Sequence, residues 1–289
     1  MSEVNFKNLL STGAHFGHVT RKWHPSYAPY ILMERNGVHI INLEETLSGL
    51  KKAQDFLTKI VKKNGEVLFV GTKKQAKDIV QQEADRCGMF YVVERWLGGT
   101  LTNYSTIKKS IKRLQMLEKE GSSIYRDLTK KEIQMLNRER VKLADQHRGI
   151  KDMRRVPDVL VVVDANFEST AVQEAIRLEI PVIAIVDSNT DPSIVSHVIP
   201  ANDDSIRTIQ LILSALTDAI LSAQVKDLDK QNQKTNDNQT TKKNVYLDSD
   251  NSDNISDKKV LSDDKDENKA VKDDADAMDK NNGKVENDK

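Results

Sequence analysis

One cysteine in 289 residues, Cys87, leaves no partner for an internal disulfide. A chain of this kind fits a reducing compartment. Also missing is any apolar run near the ~20 residues that a membrane helix requires, so no membrane association is expected. The opening MSEVNFKNLL lacks the basic and long apolar regions of a signal peptide, and its early glutamate argues against an organellar transit sequence. A cytoplasmic protein is the expectation. Catalytic signatures are scarce too: there is no Walker A loop, no G-x-G-x-x-G turn and no G-x-S-x-G elbow. Cys87 stands at a helix end with no evident histidine partner. His15 and His18 are spaced as two metal ligands are, yet no second Cys or His pair follows at a useful distance. No metal and no cofactor are expected.

The formal net charge is zero, and it conceals a division. Residues 226–289 hold 13 Lys against 17 Asp and Glu, a local charge of −4, which leaves residues 1–225 at +4. A mildly basic body with an acidic tail is compatible with a nucleic-acid partner. The tail is dominated by Asn, Asp, Lys and Ser. It holds too little apolar surface to offset chain entropy and is expected to be disordered. Residues 1–225 are therefore read as the folded domain and 226–289 as a solvated tail.

Within the body, the stretch Glu94 to Arg113, ERWLGGTLTNYSTIKKSIKR, stands out. Paired glycines let a main chain approach a bulky ligand closely. Thr, Asn, Lys and Arg are the side chains that donate to phosphate and sugar oxygens. Arg95 and Trp96 open the stretch, and Thr102 and Asn103 follow the Gly98-Gly99 pair. Ile107, Ile111, Leu114 and Leu117 recur at helical spacing, which puts Lys108, Lys109, Lys112 and Arg113 on the other faces. A solvated helix surface would look the same; the aromatic and Gly-Gly entry favours a binding face.

Upstream, residues 5 to 12 suit a short helix with Phe6, Leu9 and Leu10 inward, stopped at Gly13. Phe16 and Trp23 read as anchors, with Arg21, Lys22 and His24 free for phosphate contact. Asn36-Gly37 predicts a hairpin between Tyr30–Glu34 and Val38–Ile41. An amphipathic helix from Leu43 to about Lys62 ends at Gly65. Short apolar runs then alternate with helices: 66–70, 91–93, 158–163 and 182–186 read as strands buried on both faces. Such a pattern predicts an α/β, doubly wound and mainly parallel sheet. Its ligand side lies at the strand C-termini, where Gly71 to Lys74 place Lys73 and Lys74 as candidate contacts. Ile199 to Asp204 reads as a turn that caps a closing helix.

Between the second and third sheet strands, residues of about 104–150 contain no strand. Gly121 is expected to stop one helix, and Thr129-Lys130-Lys131-Glu132 is a capping box for another. Ile133, Leu136, Leu143 and Ile150 fall at a/d-like positions that Arg140 and His147 interrupt. The result is an inserted helical hairpin, a short coiled-coil arm.

Two alternatives to an RNA binder remain. Asp164, Asp187 and Asp191 at strand ends suit Mg²⁺-dependent phosphoryl transfer or a receiver-like protein, although capping and turn formation are the ordinary roles of Asp there. A protein-only adaptor would use the helical arm.

Long stretches resemble the bacterial small-subunit ribosomal protein S2 family from about residue 3 to 224. They are LLSTGAHFGH (9–18), YILMERNGVHIINLE (30–44), VLFVGTKKQA (67–76), RWLGGTLTN (95–103), LTKKE (128–132), GIKDMRRVPDVLVVVD (149–164), IPVIAIVDSNTDP (180–192) and IPANDDSIRTI (199–209). Glu179 departs from the glycine usual in the family before Ile180-Pro181. The resemblance implies a flavodoxin-like α/β domain with a coiled-coil arm. It also implies a noncatalytic role on small-subunit rRNA, beside neighbouring ribosomal proteins that include the large mRNA-binding protein built of OB repeats. The expected rRNA contacts are Arg21, Lys22, Trp23, Lys73, Lys74, Arg95, Trp96, Thr102, Asn103, Lys108, Lys109, Lys112 and Arg113.

Overall fold

A computed structural model describes residues 4–119 and 128–225. The expected helix stop at Gly121 and the expected disorder of residues 226–289 lie outside those residues. The chain opens with α1 (Phe6–Thr12), which Gly13 ends in the left-handed region at φ 80°. Only Leu9 of this helix is buried; Phe6 and Leu10 are exposed, contrary to expectation.

Three short strands follow: β1 (Phe16–Val19), β2 (Ile31–Arg35) and β3 (Val38–Ile41), an antiparallel sheet in the order β1-β3-β2. The β2–β3 hairpin turns at Asn36 and Gly37, both at positive φ, as an Asn-Gly turn requires. Strand β1 was not foreseen, because its residues FGHV lack clean alternation. Helix α2 (Leu43–Val61) begins under the Asn42 side chain, which accepts from the Glu44 amide, and it buries Leu43, Thr46, Leu50, Ala53, Leu57 and Val61. Past its end the left-handed residue is Asn64, not Gly65.

The second sheet holds β4 (Val67–Val70), β5 (Phe90–Val92), β6 (Val159–Val163), β7 (Val182–Val186) and β8 (His197–Pro200). Every neighbouring pair is parallel, and the order is β5-β4-β6-β7-β8. Counted from β4, that is the 2-1-3-4-5 order of flavodoxin-like folds. Strand β8 takes in Ile199 and Pro200, and the rest of the expected turn is present at 201–205, where Asn202 Oδ1 accepts from the Asp204 and Ser205 amides ahead of the closing helix. A proline argues against a strand except at an edge, and Pro200 sits at the end of the edge strand, opposite Val186.

Strand side chains alternate between two helical layers. Val67, Phe69, Val159, Val161, Val163, Ile183, Ile185 and Ile199 face a core shared with α2, α3 (Lys77–Cys87) and α7 (Ile206–Val225). Leu68, Val70, Val92, Leu160, Val162, Val182, Ala184 and Val186 face the other core. That core is shared with α4 (Tyr104–Glu118) and α6 (Ser169–Arg177). Each fully buried aliphatic side chain contributes about 1.5–3 kcal/mol, so this two-faced sheet is the main stabilising element. Helix α7 is long and apolar enough to cross a membrane by composition. Here its Ile209, Ile212, Leu213, Leu216 and Ile220 are core residues.

Helix α5 (Lys130–His147) starts at the foreseen capping box, with both Thr129 and Glu132 bonds present. It runs antiparallel to α4: Ser110 meets His147 and Arg113 meets Glu139, so positions advancing on one helix recede on the other. Ile107, Ile111, Leu114 and Leu117 are buried as their spacing predicts. His147 is a correction. It does not interrupt the seam but lies in it, 1% exposed, with Nε2 2.8 Å from Ser110 Oγ.

Candidate nucleic-acid interface

The Gly98-Gly99 segment is closed, and a carboxylate closes it. Oε1 of Glu174 on α6 accepts from Trp96 Nε1 at 3.0 Å and the Gly99 amide at 2.8 Å. Its Oε2 accepts from the amides of Leu101 at 3.0 Å and Thr102 at 3.2 Å, and from Thr102 Oγ1 at 3.2 Å. Gly99 stands at φ 89°, which turns the amides inward. Burial would raise the Glu174 pKa, but the donors of Trp96, Gly99, Thr102 and Leu101 outweigh it and bring the pKa below the ordinary carboxylate value. Amides converging on an anion make a phosphate cradle. In this protein the seat is taken by the chain's own glutamate. Trp96 is buried and Thr102 donates inward, so the hydrogen-bonding groups of both are committed inside the protein.

Beyond this loop the basic face is open. Lys108, Lys109 and Lys112 are exposed on α4. Asn103, at the N-cap position, is exposed, and its Oδ1 accepts from Ser105 and Thr106 hydroxyls at 3.2 and 2.9 Å. Arg113 makes a two-point ion pair with Glu139 at 3.0 and 3.2 Å, joining α4 to α5. Lys108 and Lys112 line a cleft of about 220 Å³ with Ile111, Lys151, Asp152 and Arg154. Lys151 also bonds Glu118 at the end of α4. Lys151 and Arg154 were not expected as contacts, although they stand in the basic run Lys151-Asp-Met-Arg154-Arg155. Arg95 is exposed and lines a second groove, of about 610 Å³, with Arg138, Lys142 and Asp145 of α5.

Arg21 and Lys22 lie on a 3-10 turn after β1, both exposed. Trp23 is not an internal anchor: it is 38% exposed, and its ring lies 5.2 Å from that of His39. Phe16 is exposed as well. Lys74 is exposed beyond the end of β4, but Lys73 turns inward. Lys73 Nζ is 3.2 Å from Asp164 Oδ2, 2.8 Å from Asp203 Oδ1 and 2.7 Å from Asp204 Oδ1. Burial opposes the charge of Lys73, yet the bonds to Asp203 and Asp204 hold its pKa above that of an ordinary lysine.

These contacts fill the crevice where a flavodoxin-like sheet takes its ligand, at the switch point between β4 and β6. Glu168 adds to the closure by accepting from the Thr72 amide at 2.6 Å. The three carboxylates of the phosphoryl-transfer alternative do not gather. Asp191 caps the Pro192–Ile194 turn through the Ser193 amide at 3.0 Å. Asp164 accepts from the amides of Asn166 and Phe167 at 3.1 and 3.0 Å. Asp187 bonds the Ser188 amide and His18 Nδ1. Cys87 is buried, and burial pushes its thiol up to about 11, which disfavours the thiolate that a nucleophile requires.

The arrangement can hold an extended polyanion on its outside, and its inner crevice is occupied. The sequence profile of the family described as Ribosomal protein S2 matches residues 9–223. That span takes in both sheets, the arm and most of α7, so the chain belongs to the ribosomal protein S2 family, whose members are small-subunit ribosomal proteins.

Proposed function

We propose that the protein is a noncatalytic constituent of the small ribosomal subunit that grips small-subunit rRNA from outside the sheet domain, through phosphate and shape. Folded RNA hides its major-groove base edges, so backbone contacts from Lys and Arg dominate recognition of this kind. The observation that carries the reading is the open cleft in which Lys108 and Lys112 of α4 meet Lys151 and Arg154. Lys109, Asn103, Arg95, Lys74, Arg21, Lys22 and the exposed Trp23 complete the proposed contact set, with Arg113 bracing the arm. Lys73, Trp96 and Thr102 are left out, because Asp203, Asp204 and Glu174 hold their polar groups. Neighbouring small-subunit proteins, including the OB-repeat mRNA-binding protein, and a cytoplasmic location in ribosomes belong to the same proposal.

The test replaces Lys108, Lys109 and Lys112 with Glu. Each lost phosphate contact removes roughly 0.7–0.9 from the slope of log affinity against log salt, so the triple variant should lose about 2. Small-subunit rRNA binding measured across a salt series reads that slope. Sedimentation of cell extracts reads incorporation. An unchanged slope with full incorporation would remove α4 from the RNA interface.

A further inference from the structure

We propose that Asn36, at the tip of the β2–β3 hairpin, is a site of self-modification: the Gly37 amide nitrogen closes on the asparagine side chain and converts it to aspartate and isoaspartate, with loss of ammonia. The chain offers an internal comparison, because Asn-Gly occurs at Asn36-Gly37 and again at Asn64-Gly65. Glycine puts no side chain in the way of its own nitrogen and turns freely, so this dipeptide closes the ring more readily than others. Both asparagines are exposed, and both stand in the left-handed region, at φ 53° and 56°. They differ in what holds the glycine.

At Asn64 the nucleophile is tied down. The Gly65 amide donates to the Ile60 carbonyl at 3.0 Å and the Asn64 amide to that of Val61 at 2.8 Å, so both close the end of α2. Arg155 Nη2 donates to the Asn64 carbonyl at 3.1 Å. Room is short as well, since a Cβ on Gly65 would stand 2.3 Å from Ile60 Cγ2. None of this applies at the hairpin tip. Among the described residues the Gly37 amide has no acceptor and the Asn36 side chain has no partner. A Cβ on Gly37 would meet nothing within 4 Å, and residues 32–37 are all exposed. The tip can therefore rotate into the attacking conformation without disturbing either core.

The chemistry balances with water alone. Hydroxide takes the Gly37 amide proton, the nitrogen bonds to Asn36 Cγ, and the Cγ–Nδ2 bond breaks as ammonia leaves with a proton from water. A second water opens the succinimide. Cleavage of the new N–Cγ bond restores the main chain and leaves aspartate; cleavage at the Asn36 carbonyl carbon reroutes the main chain through Cγ as isoaspartate. Nothing is oxidised or reduced. The isoaspartate lengthens a two-residue turn by one methylene, and hairpin register depends on loop length. The Thr20 amide donates to the Gly37 carbonyl at 3.0 Å, so the change reaches the turn that carries Arg21 and Lys22. If those side chains hold phosphates as proposed, the new carboxylate opposes them; the modification itself does not depend on that.

The test ages the full folded chain at neutral and at mildly alkaline pH and digests it with pepsin in acid, where further conversion stops. Mass spectrometry follows each Asn-Gly pair, and isoaspartyl methyltransferase labelling reads the isomer. Asn36 should convert roughly tenfold faster than Asn64, the factor that one extra hydrogen bond to break implies, and faster still at the higher pH. In urea the two should convert at similar rates, because both glycine amides are then free. Three results would each overturn the proposal: no conversion at Asn36 in the folded chain, conversion at Asn64 just as fast, or a difference between the two that persists in urea.

Discussion

Glu174 accepts five hydrogen bonds from residues 96–102 and so sets the shape of that loop. Glu174→Gln keeps the size, but it removes the charge and turns an amide group toward N–H donors. The substitution should lower stability by about 3 kcal/mol at pH 7, measured by chemical denaturation. The pH dependence follows from the lowered pKa. The carboxylate's contribution is complete above the ordinary glutamate value of 4.5 and is lost as pH falls through the lower folded value. Wild type and variant should therefore converge in stability as pH falls from 4.5 through the lower folded value. Glu179 is a second residue with a readable consequence. It occupies φ 56°, in the left-handed region that glycine enters freely, and its Cβ is unfavourable there. Glu179→Gly should raise stability by about 1 kcal/mol. The roles of Glu174, Asp203 and Asp204 were invisible in the sequence, because their partners are 72 or more residues away for Glu174 and 130 away for Asp203. Exposed lysines were legible, since helical spacing alone places Lys108 and Lys112 opposite the buried stripe.

The arm is the element whose attachment matters most. Its base is held where the short 3-10 turn Arg148–Ile150 crosses β5, and a Cβ on Gly149 would come 2.2 Å from the Tyr91 carbonyl oxygen. Gly149→Ala therefore has to push the returning arm off the sheet. Overpacking of this sort costs about 1–3 kcal/mol, and hydrogen exchange should show the loss concentrated in β5 and the end of α5. Helix existence and the α4 stripe were readable from period and capping. The place of His147 was not, because a histidine at a seam position looks like an interruption until Ser110 is found beside it. Strands β1 and β8 escaped for a related reason. Each is four residues long, contains a His and has no apolar alternation, so only pairing with a neighbour defines it.

At the scale of the molecule, runs such as Val159–Val163 announced a parallel sheet with helices on both faces. They could not announce the strand order, which depends on which crossover turns which way. We propose that the folding unit ends with α7 near residue 225. A chain ending there should unfold cooperatively within about 2 °C of the full-length Tm, because both hydrophobic cores are built from residues before 225. Loss of cooperativity in a calorimetric scan would place the boundary further on.

The carboxyl rim of the sheet has one more consequence. Lys73 bridges the loops after β4, β6 and β8, Glu168 bonds back to Thr72, and His18 fastens the N-terminal strand to Asp187 after β7. Four connections that in an enzyme would open and shut are here riveted to one another. The protein should thus behave as a gauge block, presenting its cations at fixed intervals whether or not the polyanion is present. Converting it into a nucleotide binder would demand that several of those rivets be withdrawn together, since drawing one alone strands a charge in the interior.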